Sequence, residues 1–252
     1  MAWSTRAPRR IGFADAREGG WLGVNERYDI AERHAVDRMV GLLAAAGIPP
    51  IRDLRLYAPP EAVAWWEAER ARRGLGPYAV FAPTSRWASK AWPADRWGEL
   101  GRRLLERGVD GVRLDRLVYV GGGNERDAVA AALPPAPVRE RAIDLAGATS
   151  VGQLMAVIAE ADLVVANDSA ALHMAVGFDR PLLALFGPTD PTLVGPYGRD
   201  EAVLCSAEAK RFTGHYRDRS LGDRLMGGIA VEDVLAALDA GRHQVRHAEV
   251  VR

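Results

Sequence analysis

The sequence predicts an α/β fold built on a doubly wound parallel sheet, with helices covering both faces. Three observations carry this. From Tyr78 onward, short apolar runs alternate regularly with segments whose apolar residues recur at helical spacing. The runs are apolar throughout rather than every second residue, as in strands buried on both faces. Four of them stop directly at Pro83, Gly121, Asn167 and Gly187, residues that punctuate a strand-to-helix turn.

The elements follow in order. Tyr78-Ala79-Val80-Phe81-Ala82 reads as a buried strand. Pro93 then opens a helix, because a missing N–H costs nothing in a first turn, and Asp95 complements the helix dipole. Trp97, Leu100, Leu104 and Leu105 mark its inner face, and Gly108 stops it. Leu117-Val118-Tyr119-Val120 is the next strand, followed by three glycines and a short helix over 125–133. Ala142-Ile143-Asp144-Leu145 is a brief strand. Ser150 is the expected N-cap of a helix with Val151, Leu154, Met155 and Ile158 as its buried stripe. Leu163-Val164-Val165-Ala166 runs into Asn167 and a helix to Val176. Pro181-Leu182-Leu183-Ala184-Leu185-Phe186 is another strand, and a last helix covers 231–238 before Gly241.

The first 75 residues differ. Arg10-Ile11-Gly12-Phe13-Ala14 predicts one strand. Apolar residues at 36, 39, 40, 43 and 46 predict an amphipathic helix over 34–46, and 60–73 predicts a second, with Val63 and Trp66 inward. One strand and two helices cannot close a sheet of their own. Linkers are expected at 47–60 and 72–77.

Bulk properties exclude several classes. The 252 residues carry formal net charge zero, so neither nucleic acid nor a charged membrane surface is expected as a partner. Cys205 is the only cysteine, which rules out an intramolecular disulfide and fits a reducing compartment. No run approaches the roughly 20 apolar residues of a membrane-spanning helix. The basic residues 1–10 are not followed by the apolar core of a signal peptide. A cytoplasmic protein, at most in peripheral membrane contact, is expected. His34, His215, His243 and His247 show no metal spacing with each other or with Cys205, so no metal and no cofactor is expected. Neither a G-x-S-x-G elbow nor a P-loop occurs.

In open parallel sheets ligands bind beyond the carboxyl ends of the strands. The loops to read are therefore 84–92, 121–125, 167–173 and 187–196. In Asn167-Asp168-Ser169-Ala170-Ala171-Leu172-His173 a strand feeds straight into a helix, whose first N–H groups and dipole attract an anion. Small residues at 169–171 leave the backbone approachable, and His173 lies one turn from Ser169 on the same face. The same residues also fit a simple cap at Asp168 or Ser169 with a core histidine. Thr84, Ser85 and Lys90 offer two hydroxyls and an ammonium suited to phosphate oxygens, or a solvated loop. Trp87 and Trp92 read as packing residues. The glycines at 121–123 lack the G-x-G-x-x-G spacing, since its third glycine would fall on Arg126; they read as a tight turn. Glu125 offers a carboxylate for ribose hydroxyls. Gly187-Pro188-Thr189-Asp190-Pro191 is a rigid turn that lines the site or only shapes the loop.

Three motifs in this order and spacing, Thr84-Ser85…Lys90-Ala91-Trp92-Pro93…Trp97, Asn167 to His173, and Leu185-Phe186-Gly187-Pro188-Thr189-Asp190-Pro191, resemble the C-terminal domain of the ADP-heptose:lipopolysaccharide heptosyltransferases. These form glycosyltransferase family 9, of the two-domain, Rossmann-like GT-B type. The resemblance covers roughly 78–200. It extends to Ile11-Gly12-Phe13 and His34-Ala35-Val36-Asp37-Arg38, which are similar to the last part of the family's N-terminal domain.

The resemblance implies one complete nucleotide-sugar-binding domain over 76–241, a remnant of the acceptor-side domain with its linker over 1–75, and a tail over 242–252. It implies an ADP-sugar donor and a lipid-linked or core-oligosaccharide acceptor, with heptose or a related sugar transferred with inversion. Thr84, Ser85 and Lys90 would hold the diphosphate and sugar, and Glu125 the adenosine ribose. Asp168 would contact the sugar hydroxyls, Ser169 and Ala170 would present backbone N–H groups to the diphosphate, and His173 would complete the site.

The sequence departs from the family in three ways. Ala170 stands where many relatives have glycine, and the 85–90 loop is one residue longer than in some relatives. The acidic general base expected near the first strand of the N-terminal domain would precede Arg10; Asp15 and Glu18 do not sit in its motif, so no catalytic residue is assigned. The alternatives are a catalytically incomplete nucleotide-sugar-binding protein and, less well supported, a nicotinamide-dependent oxidoreductase.

Overall fold

Ile11–Phe13 forms β1 and pairs in parallel with β2 (Glu26–Tyr28), Ile11 opposite Glu26. In this computed structural model, which describes residues 2–16, 19–212 and 221–245, the two strands belong to a first unit, Met1–Leu54 with Thr192–Val194. Glu18 lies outside the described residues. The helix of this unit, α1 (Ala35–Ala45), is capped by His34, whose Nδ1 accepts from Val36 N at 3.2 Å. Arg9 ties the unit together: it donates to both carboxylate oxygens of Glu26 at 2.8 Å and to the carbonyl of Ala46 at 2.9 Å. Asp15 is held by Arg38, which also lies over the Phe13 ring at 4.6 Å. β2 was not read from the sequence, because Glu26-Arg27-Tyr28 has neither an apolar run nor a turn signal beside it.

The second unit, Arg55–Pro191 with Gly195–Arg252, holds the sheet. Its first helix, α2 (Pro60–Arg73), starts on a proline and stops at Gly74, whose positive φ of 57° suits a residue without a β-carbon. Grouped by the sequence with the N-terminal segment, α2 packs in this unit. Fully buried Trp66 donates from Nε1 to the Tyr78 hydroxyl at 2.9 Å, which in turn donates to Val157 O at 2.7 Å.

The strands and helices then alternate: β3 (Tyr78–Ala82), α3 (Ala94–Arg107), β4 (Arg116–Tyr119), α4 (Arg126–Ala132), β5 (Ala142–Asp144), α5 (Val151–Ala159), β6 (Leu163–Asn167), α6 (Ala170–Gly177), β7 (Leu182–Phe186), the short α7 (Pro191–Val194), β8 (Val203–Cys205), α8 (Leu221–Leu225) and α9 (Val231–Asp239). The strands pair in the order β5-β4-β3-β6-β7-β8, every pairing parallel. The doubly wound parallel sheet expected from the sequence is therefore present, with each named strand within a residue of its expected bounds. β3, β6 and β7 are buried along their whole length, as their unbroken apolar runs require.

Four details depart from the expectation. The edge strand β8 and the helices α7 and α8 were not read, because each is too short to show a period. Val151 is 69% exposed and Leu154 and Met155 are half-buried, so of the stripe expected on α5 only Ile158 is buried, beside Ala156 and Val157. Ser150 does cap that helix, accepting from Gln153 N at 3.2 Å while Gln153 accepts from Ser150 N at 2.9 Å.

The main core lies under α3 and α9, where Phe81, Trp92, Trp97, Leu100, Leu104, Tyr119, Val234 and Leu235 meet. Trp97 packs on both Phe81 and Trp92, with ring centroids 5.3 Å apart in each case. Among the described residues no helix is long and apolar enough to cross a membrane.

Candidate functional site

Strand order reverses between β3 and β6: the chain winds outward from β3 through β4 to β5, then crosses back to β6. At such a switch point the loops leaving the two central strands diverge and open a crevice at their carboxyl ends. The crevice is there, with a volume of about 460 Å³. Its walls come from the ends of β3, β4 and β6 and the starts of α5 and α6.

The crevice brings together seven of the eight residues singled out from the sequence: Thr84, Ser85, Lys90, Glu125, Asp168, Ser169 and Ala170. His173 is not among its lining residues. It sits one turn into α6 and is exposed, so it is not a buried core histidine either.

Asn167, the last residue of β6, organises the mouth. Its side chain is fully buried, donating from Nδ2 to Pro83 O at 2.7 Å and accepting on Oδ1 from Trp92 N at 3.3 Å. Pro83 and Trp92 stand at the two ends of the loop that carries Thr84, Ser85 and Lys90. One carboxamide, with a donor and an acceptor on the same group, thus clips that loop to β6. Ser85 adds a second clip, donating to the Asp168 carbonyl at 2.8 Å.

Across the crevice floor, Lys90 Nζ lies 2.6 Å from Asp168 Oδ2. Both side chains are nearly buried, at 13% and 11% exposure, so this pair is far less screened by water than a surface ion pair. Asp168 is therefore occupied with Lys90 and does not cap α6. Ser169 does not cap it either: its Oγ is buried and makes no hydrogen bond. Of the two readings of this segment, the simple cap fails. The first turn of α6, whose leading N–H groups have no partner inside the helix, opens on the crevice with the short side chains of Ala170 and Ala171.

On the opposite wall, Glu125 closes the single turn at Gly123–Glu125 by accepting from Gly122 N at 2.6 Å. A β-carbon on Gly121 would stand 2.7 Å from Val129 Cγ2, so any side chain there would force the buried Val129 to shift. The glycine run is a tight turn, as its spacing implied.

Sequence reasoning missed Arg86, Trp87, Asn124 and Leu154 as lining residues. Trp92 is a packing residue, its indole donating to Ile229 O at 2.9 Å from a buried position. Trp87 is only half-buried, forms part of the crevice wall and carries Arg86 over its ring at 5.8 Å. Its position in the loop after β3 was the signal available. The turn at 187–191 does not line the crevice. Among the described residues no group of three His, Cys, Asp or Glu side chains is gathered as a metal would need; His215 and His247 lie outside them.

Comparison with known proteins adds to this geometry. The family model for glycosyltransferase family 9 (heptosyltransferase) matches residues 1–221. Lipopolysaccharide heptosyltransferase 1 of Pseudomonas aeruginosa is 36% identical over 181 residues, covering 69% of this chain and 45% of that protein. Lipopolysaccharide heptosyltransferase 2 of Salmonella typhimurium is 32% identical over 160 residues, covering 64% and 42%. The chain spans about half the length of the curated relatives it matches. Among solved structures, E. coli ADP-heptose lps heptosyltransferase II superposes with a TM-score of 0.68 at 23% identity, covering 94% of this chain and 72% of that one. The family 9 glycosyl transferase of Veillonella parvula gives 0.73 at 22% identity, covering 96% and 69%. The likeness to these structures shows the fold, the α/β arrangement of GT-B type expected from the sequence.

Proposed function

The chain belongs to glycosyltransferase family 9, the heptosyltransferases, and from that premise we propose that its sheet unit holds the ADP-sugar donor of a glycosyl transfer. One observation supports this above the others: a crevice at the switch point of the sheet is lined together by Lys90, Asp168, two hydroxyl residues of the β3 loop and the opening turn of α6. An ammonium, hydroxyl residues and a helix start are the groups a diphosphate needs, with the Ser85 hydroxyl turning from the Asp168 carbonyl if it is to donate to a phosphate. The aromatic and apolar part of the wall, Trp87 and Leu154, suits the nucleoside.

In this reading the diphosphate lies against Ser169 and Ala170, within reach of Lys90, Thr84 and Ser85. Asp168 takes hydroxyls of the sugar, and the free oxygen of Glu125 takes the ribose. The sugar is heptose or a related sugar, and the acceptor is a lipopolysaccharide-core or related glycan. The acceptor hydroxyl attacks the anomeric carbon from the face opposite the diphosphate. The new C–O bond forms as the bond to the phosphate oxygen breaks, its electron pair leaves with ADP, and configuration inverts. The α6 N-terminus and Lys90 stabilise the charge that grows on the leaving phosphate. The acceptor's proton goes to a general base that we do not assign to this chain's residues. General-base help is worth typically about 10²–10⁴-fold.

A second reading, binding without transfer, is favoured by one observation. The two carboxylates that line the crevice are already engaged, Asp168 with Lys90 and Glu125 with Gly122 N. Calorimetry with ADP, ADP-glucose and ADP-heptose, paired with a transfer assay, separates the two. Binding with turnover supports transfer, and binding without turnover supports the second reading. No binding at millimolar concentration, or a preference for NADH, rejects both. Lys90→Ala is expected to weaken nucleotide binding in either case, by roughly tenfold or more for a lost charge-assisted hydrogen bond.

A further inference from the structure

The Lys90–Asp168 pair carries an inference about which diphosphate this site accepts, resting on the donor-site reading above. The charged side chains on the crevice wall are Arg86, Lys90, Glu125 and Asp168, two of each sign. The cation best placed for a phosphate, Lys90, is not available as a free charge, because Asp168 Oδ2 lies 2.6 Å from its ammonium. An anion bonded to that ammonium would sit at about 2.8 Å from it. The two oxygens sharing Lys90 are then at most about 5.5 Å apart, in a nearly buried spot where charges are poorly screened. A phosphate cannot reach Lys90 without meeting the Asp168 carboxylate.

We propose that Asp168 is a specificity-determining residue that makes this site favour a sugar-capped diphosphate over a bare nucleoside diphosphate. The terminal phosphate of a bare diphosphate is a monoester-like group carrying close to two negative charges above about pH 6. Capped by a sugar, the same phosphate keeps one, and the cap offers hydroxyls that donate to a carboxylate. Asp168 thus repels the bare form about twice as strongly and gains hydrogen bonds with the capped form. The same carboxylate favours release of the nucleoside diphosphate once the sugar has left, since cleavage adds a charge next to it.

The test is calorimetry on the full chain with ADP and ADP-glucose as probes, for the wild type and Asp168→Asn. The repulsion relieved scales with the phosphate charge, so a tenfold gain for a dianion corresponds to about a threefold gain for a monoanion. Asp168→Asn is expected to tighten ADP by about tenfold or more, and to change ADP-glucose by about threefold or less. Equal changes for both ligands, or weaker ADP binding, overturn the proposal. A second measurement needs no variant: on the wild type, lowering pH from 8 to 5.5 protonates the terminal phosphate of ADP but leaves ADP-glucose unaltered. ADP affinity is then expected to rise relative to ADP-glucose, and a flat or falling ratio overturns the proposal. If the wild type binds neither probe at millimolar concentration, the donor-site reading fails and this inference with it. Binding of both with no charge discrimination removes only the role given to Asp168.

Discussion

Replacing Asn167 with leucine tests whether a single carboxamide holds the crevice mouth together. The substitution keeps the approximate volume but removes the donor to Pro83 O and the acceptor for Trp92 N, both buried backbone groups. Each buried group left unsatisfied costs about 1–3 kcal/mol. The 3.3 Å contact to Trp92 is the weaker of the two, so a total near 3 kcal/mol is expected. For a chain of this size that lowers Tm by about 6–12 °C. Asn167→Asp sharpens the test by its pH dependence. Ionised, the new carboxylate still accepts from Trp92 N but faces the Pro83 carbonyl oxygen with no proton to donate; protonated, it donates again. Its folded-state pKa is thus raised, so the variant is closest to wild type below the ordinary carboxylate range near pH ~4 and loses stability as pH rises. Thermal melts of both variants at pH 4 and pH 8 read this directly. An Asn167→Leu protein melting within about 1 °C of wild type, or an Asn167→Asp protein indifferent to pH, refutes the clip.

Further outcomes follow from other parts of the chain. Gly147→Ala is expected to cost about 2–4 kcal/mol in urea unfolding, because its φ of 62° is left-handed and a β-carbon would stand 2.6 Å from Gly123 Cα; an unchanged midpoint contradicts the packing described. Burial pushes the Cys205 thiol up to about 11, so labelling by a disulfide reagent should be slow at pH 7, speed up toward pH 11 and run fast in denaturant. Rapid native labelling at neutral pH would contradict that burial. The Glu26 carboxyl is held down to about 2 by its hydrogen bonds from Arg9 and then from the Tyr28 hydroxyl. A depressed folded-state value means the pair contributes above the ordinary 4.5 and its contribution is lost as pH falls toward 2. Glu26→Gln should remove that pH dependence in hydrogen exchange of residues 9–13 and 26–28, and retention of it would show the pair has no such role.

The fold was legible where burial is two-sided. β3, β4, β6 and β7 each carry an unbroken apolar run, and the turn residues after β3, β4 and β6 match the loops that form the crevice. β8 and β2 were not legible for opposite reasons. β8 is a three-residue edge strand, half-buried, whose place is set by pairing with β7 rather than by its own pattern. β2 is polar, and it meets β1 through long-range contacts that no local pattern shows, the Arg9–Glu26 contact joining residues 17 apart among them. In the site, residue type and loop position found the ammonium, the hydroxyls and the helix start. They did not show that Lys90 and Asp168 pair with each other, because residues 78 apart in sequence meet only through the β3–β6 adjacency. Nor did they separate His173 from the crevice: helical spacing puts it on the face of Ser169, but one turn along the axis moves it away from the opening.

The third family motif, residues 185–191, adds nothing to the crevice lining, yet it bears on Lys90 from behind. A β-carbon on Gly187 would stand 2.5 Å from Met226 Sδ and 3.6 Å from Ser89 O. On α8, a β-carbon on Gly222 would stand 3.0 Å from Ala88 O and 3.3 Å from Ser89 Cα. The single turn Ala88–Lys90 is therefore packed by two glycine backbones, with Ser89 only 1% exposed between them. Asn167 fixes the residue that follows this turn by two positions, through Trp92 N, and the Trp92 indole is anchored on Ile229 O. A lysine on a free loop would give up about 1.5–2 kcal/mol of rotamer freedom when it closes on a ligand. Here the turn is closely packed and the ammonium already held by Asp168, so part of that freedom is lost during folding rather than during binding. The turn after β7 thus bears on the proposed donor site without lining the crevice, by packing behind the turn that carries Lys90.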